Sequence, residues 1–377
     1  MKAGAQVRGY FGKFTGKPSR LFIHAVGKEG FTLVELMVTI VISLFALAAT
    51  TSLFAQLFTQ FKQESTVSQT GIGSSIGLEY LEKDIQSAGY GLPWNVNGVN
   101  YQESAVANAL TDDAPSNPPR AIFSINGTGT GLNGSDYLVI KSQMAAVNDS
   151  AAGKSTWIKS TGGAKVWGNP NWDLNPSDNA IVVSTIDNIV SLVTNPGALF
   201  GVVNDYAPTS ATETRMIYGV ADAADAPTGL RMPFNRADYY IAPPGTAGVT
   251  QPQRCAPDTG VLVKAVMKQT DGTYTLYPIL DCVADMQVIF DLGNDQYSND
   301  ISNSQNFPAS WIRQNVHGVR VYILAQQGQK DPTYTYPSNT ITVGEFGLGR
   351  NYPIANDQKH YRWRLYTIVE KPMNLGQ

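Results

Sequence analysis

Several short patterns in the 377-residue chain carry residue types that do chemistry in other settings. Gly73-Ser74-Ser75-Ile76-Gly77 has the Gly-x-Ser-x-Gly spacing of a nucleophile elbow, which serves acyl transfer. Gly129-Thr130-Gly131-Leu132-Asn133-Gly134 has the spacing of a dinucleotide fingerprint, and Gly153-Lys154-Ser155 echoes the end of a phosphate-binding loop. Asp291, Asn294, Asp295, Asn299 and Asp300 gather hard oxygen donors of the kind that hold calcium. Cys255 and Cys282 are the two cysteines of the chain and could close a disulfide. Glu35 is the only charged side chain between Phe31 and Phe61, a carboxylate set inside an apolar run.

Each of these chemistries needs an element that positions it, and most lack one. A nucleophile elbow requires a strand feeding a sharp turn, whereas Gly73–Gly77 sits inside a helical pattern, and beyond residue 30 only His317 and His360 could act as a base. The glycine-rich fingerprint is followed by Asp136-Tyr137-Leu138-Val139-Ile140, a strand where a phosphate-binding helix should begin. Asn148 stands where a phosphate-binding loop needs its first glycine. These three segments therefore read as helix and loop, and no enzymatic activity is expected. The acidic set from Asp291 to Asp300 lacks the spacing and the closing Glu of an EF-hand, so calcium competes there with plain turn chemistry, and no other cofactor is expected.

Composition points to a turn-rich β protein with enough apolar residues for a core: 15% charged, 43% hydrophobic, 35 Gly and 21 Pro. Apolar residues run from Phe31 to Phe61, about 30 residues, which exceeds what a ~30 Å hydrocarbon core requires of a helix. Val67, Leu78, Leu81, Ile85 and Ala88 continue a helical spacing, with Glu79, Glu82, Lys83 and Asp84 on other faces. Gly89-Tyr90-Gly91-Leu92-Pro93 supplies the stop, and no proline stands between Phe31 and Pro93 to force a kink. The expected fold is α+β, a long N-terminal hydrophobic and then amphipathic helix packed on a β-rich head. Its expected divisions are a basic leader over 1–30, a membrane-spanning stretch over 31–61, an amphipathic continuation over 62–92 and one globular domain over 93–377.

Strands are expected near Ala121–Ile125, Tyr137–Ser142, Ala180–Thr185, Arg215–Val220, Asp238–Ala242, Val283–Phe290, Val319–Ala325 and Tyr361–Val369. Trp157–Pro176 reads as a loop insertion whose Trp157, Trp167 and Trp172 form either a binding face or a satellite core. Val261–Val266 and Thr273–Tyr277 read as a hairpin turning at Asp271-Gly272, which would bring Cys255 and Cys282 together. A disulfide closing that loop should stabilise by about 3.5 kcal/mol.

Topology follows from charge. Residues 1–30 hold Lys2, Arg8, Lys13, Lys17, Arg20 and Lys28 against Glu29, which keeps this end cytoplasmic and sends everything after the apolar run across the membrane. Removing them takes the formal charge from -3 to -8, so broad attraction to nucleic acid is not expected. A carboxylate within a membrane span costs roughly 2.5–3.5 kcal/mol, and a cation should arrive to compensate it. Cleavage after Gly30 would provide one: the new amine of Phe31 lies about one helical turn from Glu35, and in a stack of copies it could meet the next chain's Glu35. A secretory signal would instead place its cut after a short apolar core.

Gly30-Phe31-Thr32-Leu33-Val34-Glu35, at the head of an apolar helix, resembles the processing motif of the type IV pilin and pseudopilin superfamily. In that family a prepilin peptidase cuts after the glycine and methylates the new N-terminus, which the resemblance places at Gly30 and Phe31, with Glu35 as the assembly contact. Leu81–Gly91, Cys282–Phe290, His317–Leu324 and Tyr361–Tyr366 are most similar to PilW-type minor pilins, with the J-type pseudopilin of type II secretion next. The resemblance implies a subunit that joins other minor and major pilins on an inner-membrane assembly platform, helps to initiate pilus assembly and sits in the tip complex. It implies membrane lipid around the helix before assembly, a periplasmic C-terminal domain, and a final place in the pilus at the cell surface. A secretion pseudopilin and a membrane-anchored adhesin or carbohydrate-binding module are the alternatives.

Overall fold

A computed structural model describes residues 30–108, 110–127, 131–146, 148–186 and 189–376; the basic segment from Lys2 to Glu29 and part of the Gly129–Gly134 pattern lie outside the described residues. The fold is α+β, with one long N-terminal helix, α1 (Leu33–Ser87), and a β-rich remainder. The chain divides into two units, Met1–Thr59 and Gln60–Gln377. In the first unit α1 is apolar on every side and its side chains are exposed, including Phe45, Leu53 and Phe54. Leu33–Lys62 is the stretch of helix long and apolar enough to cross a membrane.

In the second unit the last turns of α1 become amphipathic, and the apolar stripe of Leu78, Leu81, Ile85 and Ala88 is buried in the main core. Lys83 and Glu79 form an exposed i,i+4 pair at 2.7 Å. Asp84 departs from the expected solvent face. It is buried, accepting from Lys264 Nζ at 2.6 Å and from the Tyr239 hydroxyl at 2.7 Å, because position 84 lies within the 81–85–88 stripe. Gly77 is required by closeness: a Cβ there would stand 2.2 Å from the Ile279 carbonyl oxygen. The helix ends as expected at Gly89, whose φ of 82° only glycine adopts without cost and whose N–H donates to the Lys141 carbonyl at 3.0 Å.

The strands follow in chain order as β1 (Ile122–Ile125), β2 (Tyr137–Ser142), β3 (Ser155–Lys159), β4 (Asn179–Ser184), β5 (Ser191–Leu192), β6 (Ala198–Leu199), β7 (Thr214–Ala221) and β8 (Asn235–Ala242). Then come β9 (Gly260–Met267), β10 (Tyr274–Asp291), β11 (Tyr297–Ser298), the short helix α2 (Ala309–Asn315), β12 (Gly318–Gln327), β13 (Thr340–Val343), β14 (Arg350–Pro353) and β15 (Arg362–Glu370). The main sheet is antiparallel in the order β1-β2-β8-β9-β10-β12-β15, with β11 on β10. A second sheet, β3-β7-β4-β5 with β6 on β4, is inserted between β2 and β8, two neighbours in the first. All eight expected strands exist. Trp157 corrects the loop expectation: Ser155–Lys159 is a strand paired with β7, and Trp157 faces Met216.

The expected hairpin of β9 and β10 forms, with Met267 opposite Tyr274, Lys264 opposite Tyr277 and Gly272 at φ 72° in the turn. Its flanks meet in the disulfide Cys255–Cys282, with Cα atoms 4.9 Å apart. The bridge spans a sequence separation of 27, so replacing both cysteines by serine should cost about 3.5 kcal/mol. The check is the urea midpoint of the double variant against that of the oxidised parent; equal midpoints would refute the estimate.

Charged residues also enter the interior. Arg236 on β8 grips Asp238 with both ends of its guanidinium at 2.8 Å and reaches Glu103 at 2.8 Å and Asp112 at 2.7 Å. Lys141 on β2 meets Glu103 at 2.8 Å and Asp113 at 2.6 Å, and Arg120 meets Asp113 at 2.6 Å. Tyr137 and Tyr274 donate to Asp238 at 2.7 and 2.8 Å. All but Asp112 among these ionic side chains are almost wholly shielded from solvent, so the cluster is an internal ionic clasp between the 103–120 segment and the main sheet.

Asp136, just ahead of β2, is buried, and its carboxylate accepts from Val288 N–H at 2.7 Å. Burial, with the nearby Asp285 adding to it, pushes the Asp136 carboxyl up to about 7 against that hydrogen bond. A raised carboxyl favours the protonated fold. Its contribution is therefore full below about pH 4, the unfolded value, and is lost as pH rises through 7. Asp136→Asn should flatten the fall in stability between pH 4 and 7, a difference on the order of 4 kcal/mol, as read from urea unfolding at a series of pH values. An unchanged pH slope would refute it.

Candidate functional site

The segment that opens α1 is built by four residues. Gly30 and Phe31 precede the helix in non-helical backbone, both exposed, with Phe31 at 82%. Thr32 caps it. The Thr32 hydroxyl accepts the Glu35 N–H at 3.2 Å, while Glu35 Oε2 accepts both the N–H and the hydroxyl of Thr32 at 3.1 Å. This reciprocal pair is a capping box, which satisfies two of the donors that a helix start leaves orphaned. Part of the answer to the isolated carboxylate is thus local. Both bonds use one oxygen of Glu35, and the negative charge sits at the positive end of the helix dipole.

Four hydroxyls of the span bond back onto their own helix. Thr39 donates to the Glu35 carbonyl at 2.9 Å, Ser43 to Thr39 at 2.7 Å, Thr50 to Ala46 at 2.7 Å and Thr51 to Leu47 at 2.8 Å. Hydroxyls turned back on their own helix present only carbon to a hydrocarbon surrounding, and Glu35 is the one charge between Phe31 and Phe61.

The remaining candidates separate. Gly73–Gly77 lies within α1, without the strand and turn of a nucleophile elbow. Lys154 donates Nζ to the carbonyls of Pro170 and Asp173 and leads into a strand, so it is a loop pin. In the proposed calcium set, Asp291 accepts from Gly293 N–H at 2.9 Å, Asn294 and Asp295 form a turn at φ 51° and 58°, and Asp300 accepts from Ser302 N–H at 2.9 Å. Asn299 offers its carbonyl to the Ser124 hydroxyl at 3.4 Å. Among the described residues, the carboxylates that converge within 4.8 Å are instead Asp149, Asp222 and Asp225. Asp149 spends its oxygens on the N–H groups of Ala151, Ala152 and Asp222. The ionic clasp around Arg236 was not anticipated. Its signal was present as Lys141, Arg236 and Asp238 interrupting apolar strands, but their partners are distant in sequence.

Comparison with known proteins bears on the same segment. Residues 27–51 match the family model for the prokaryotic N-terminal methylation motif. Among solved structures the chain is similar to a type IV-like pilin from Thermus thermophilus, 13% identical over 38% of this chain and 79% of that one, with a TM-score of 0.21, too slight a likeness to define the head. No curated protein sequence matches the chain. The chain therefore carries a prokaryotic N-terminal methylation motif at the head of an apolar helix, and a β-rich domain follows.

Proposed function

We propose that this protein is a minor pilin of the PilW type. Prepilin peptidase removes residues 1–30 as a leader and methylates Phe31. Residues 31–61 hold the subunit in the inner membrane, surrounded by lipid, with the leader on the cytoplasmic side and the head in the periplasm. Residues 62–92 carry the helix into a single head over 93–377. On the assembly platform the subunit joins other minor pilins and then major pilins, primes the pilus and stays in its tip complex at the cell surface. Its role is structural, not catalytic.

The observation that carries this reading is the intact Gly30–Glu35 motif at the start of a capped helix that opens on a stretch long and apolar enough to cross a membrane. The size of the head supports a cap over a repeated shaft unit, because a domain of this bulk crowds a closely packed lattice of helices. Deleting the gene while scoring surface pili and exoprotein secretion tests it. Loss of pili with secretion intact is expected; loss of secretion with pili intact would assign the protein to a type II pseudopilus.

A further inference from the structure

Anchoring and assembly through α1 leave the tryptophans of the 157–176 stretch unexplained. The structure divides them. Trp157 sits half-buried on β3 beneath Lys159, whose Nζ lies 5.1 Å from the ring centre. Trp167 and Trp172 stand on the loop that follows, 47% and 62% exposed, and both line a groove of about 540 Å³ together with Met144, Ser150, Ser155 and Asn171. That size suits a ligand of a few rings.

Two exposed indoles are costly unless something covers them, and this loop is built to keep them out. The Asp173 carboxylate accepts the N–H groups of Trp167 at 2.6 Å and Asn169 at 2.8 Å. Lys154 Nζ holds the carbonyls of Pro170 at 3.0 Å and Asp173 at 2.8 Å, and Trp167 Nε1 donates to the Ser155 carbonyl at 3.2 Å. These bonds fix the loop. What lines the groove is two flat apolar rings with a polar rim of Asn171, Ser150, Ser155 and Lys154, whose ammonium is tied to two backbone carbonyls. Such a surface matches a molecule with an apolar ring face and a rim of neutral hydroxyls. A purely apolar segment would strand the polar rim.

We infer that the groove is a glycan-binding site, in which pyranose rings of a neutral oligosaccharide stack on Trp172 and Trp167. The assignment goes beyond the assembly role and does not depend on it. The test uses the full-length chain in micelles of a sugar-free detergent, titrated with cellotriose, maltotriose and triacetylchitotriose and followed by tryptophan fluorescence and saturation-transfer NMR. The triacetylchitotriose arm separates amino-sugar polymers of the cell-wall kind from plain hexose glycans. Saturable binding of at least one trisaccharide is expected, weakened about tenfold by Trp172→Ala, less by Trp172→Phe, and unchanged by Trp157→Ala. Asn171→Ala, on the exposed rim, should also weaken it and serves if Trp172→Ala misfolds. The proposal is overturned by no saturable response to any of the three sugars, or by unchanged affinity in Trp172→Ala. It is equally overturned if Trp172 in assembled filaments is shielded from acrylamide without sugar, which would make the groove a subunit contact.

Discussion

Methionine at Arg236 should lower the unfolding free energy by roughly 3–5 kcal/mol, the largest effect expected from any single side chain in the head. The guanidinium is fully buried and makes four ionic contacts, to Asp238 twice and to Glu103 and Asp112 once each. Taking it away leaves Lys141 as the one cation on Glu103 and none on Asp238, which keeps the Tyr137 and Tyr274 hydroxyls but is then a buried charge with no counter-ion. Charge balance explains the severity. Burial raises Arg236's cost of ionisation, yet Asp238 and Glu103 together drive its proton affinity well above the usual arginine value, so the site holds the cation firmly. Arg236→Lys should recover only a part, since a single ammonium cannot bridge the two-pronged contact with Asp238 and also span to Glu103. Urea unfolding of the full-length chain in detergent micelles, followed by tryptophan fluorescence, gives the comparison. A methionine variant within 0.5 kcal/mol of the parent, taking that as roughly the ordinary scatter of surface substitutions, would show that the clasp contributes little.

Loss of the Glu35 charge is expected to leave membrane insertion intact and to abolish incorporation into filaments. Insertion should if anything improve, because the substitution relieves a cost of roughly 2.5–3.5 kcal/mol. Incorporation depends on what the carboxylate does once chains pack together. The capping box offers a second explanation for Glu35, since Thr32 and Glu35 bond reciprocally within one chain. Glutamine separates the two. Gln completes a capping box as well as Glu does, so Glu35→Gln keeps the helix start while deleting the charge. If Glu35 neutralises a neighbour's Phe31 amine, both Glu35→Ala and Glu35→Gln fail, each leaving a buried cation unpaired at a penalty of about 3 kcal/mol or more. The measurement is the share of subunit in sheared pili relative to the membrane fraction. Normal incorporation of Glu35→Gln would reduce Glu35 to a helix cap.

The two halves of the protein differ in how far local pattern reaches. The helix was legible over almost its whole length because its determinants are local: no proline between Phe31 and Pro93, an apolar run from Phe31 to Phe61, helical spacing of Leu78, Leu81 and Ile85 beyond it, and glycines at 89 and 91 to end it. Strand positions were legible for the same reason, as short β-branched and aromatic runs. The hairpin of β9 and β10, and with it the Cys255–Cys282 bridge, followed from a short turn through Asp271-Gly272 between strands adjacent in sequence.

What local pattern misjudged was partnership. Trp157 read as loop because only β7, more than 50 residues onward, makes it a strand residue. Asp84 read as a solvent-face charge, since nothing nearby reveals that Lys264 will arrive beneath it. The Arg236–Glu103 contact joins residues 133 positions apart.

Taken alone, the sequence determined the apolar helix, the strands and the place of Gly30, Phe31 and Glu35, because backbone propensity and hydrophobic spacing act over a few residues. Only the tertiary structure decided which charges became buried pairs, that a second sheet lies between β2 and β8, and that Trp167 and Trp172 face outward while Trp157 does not. Those outcomes depend on chain segments meeting across long loops, where the desolvation of each polar group is settled by whatever partner the packing delivers.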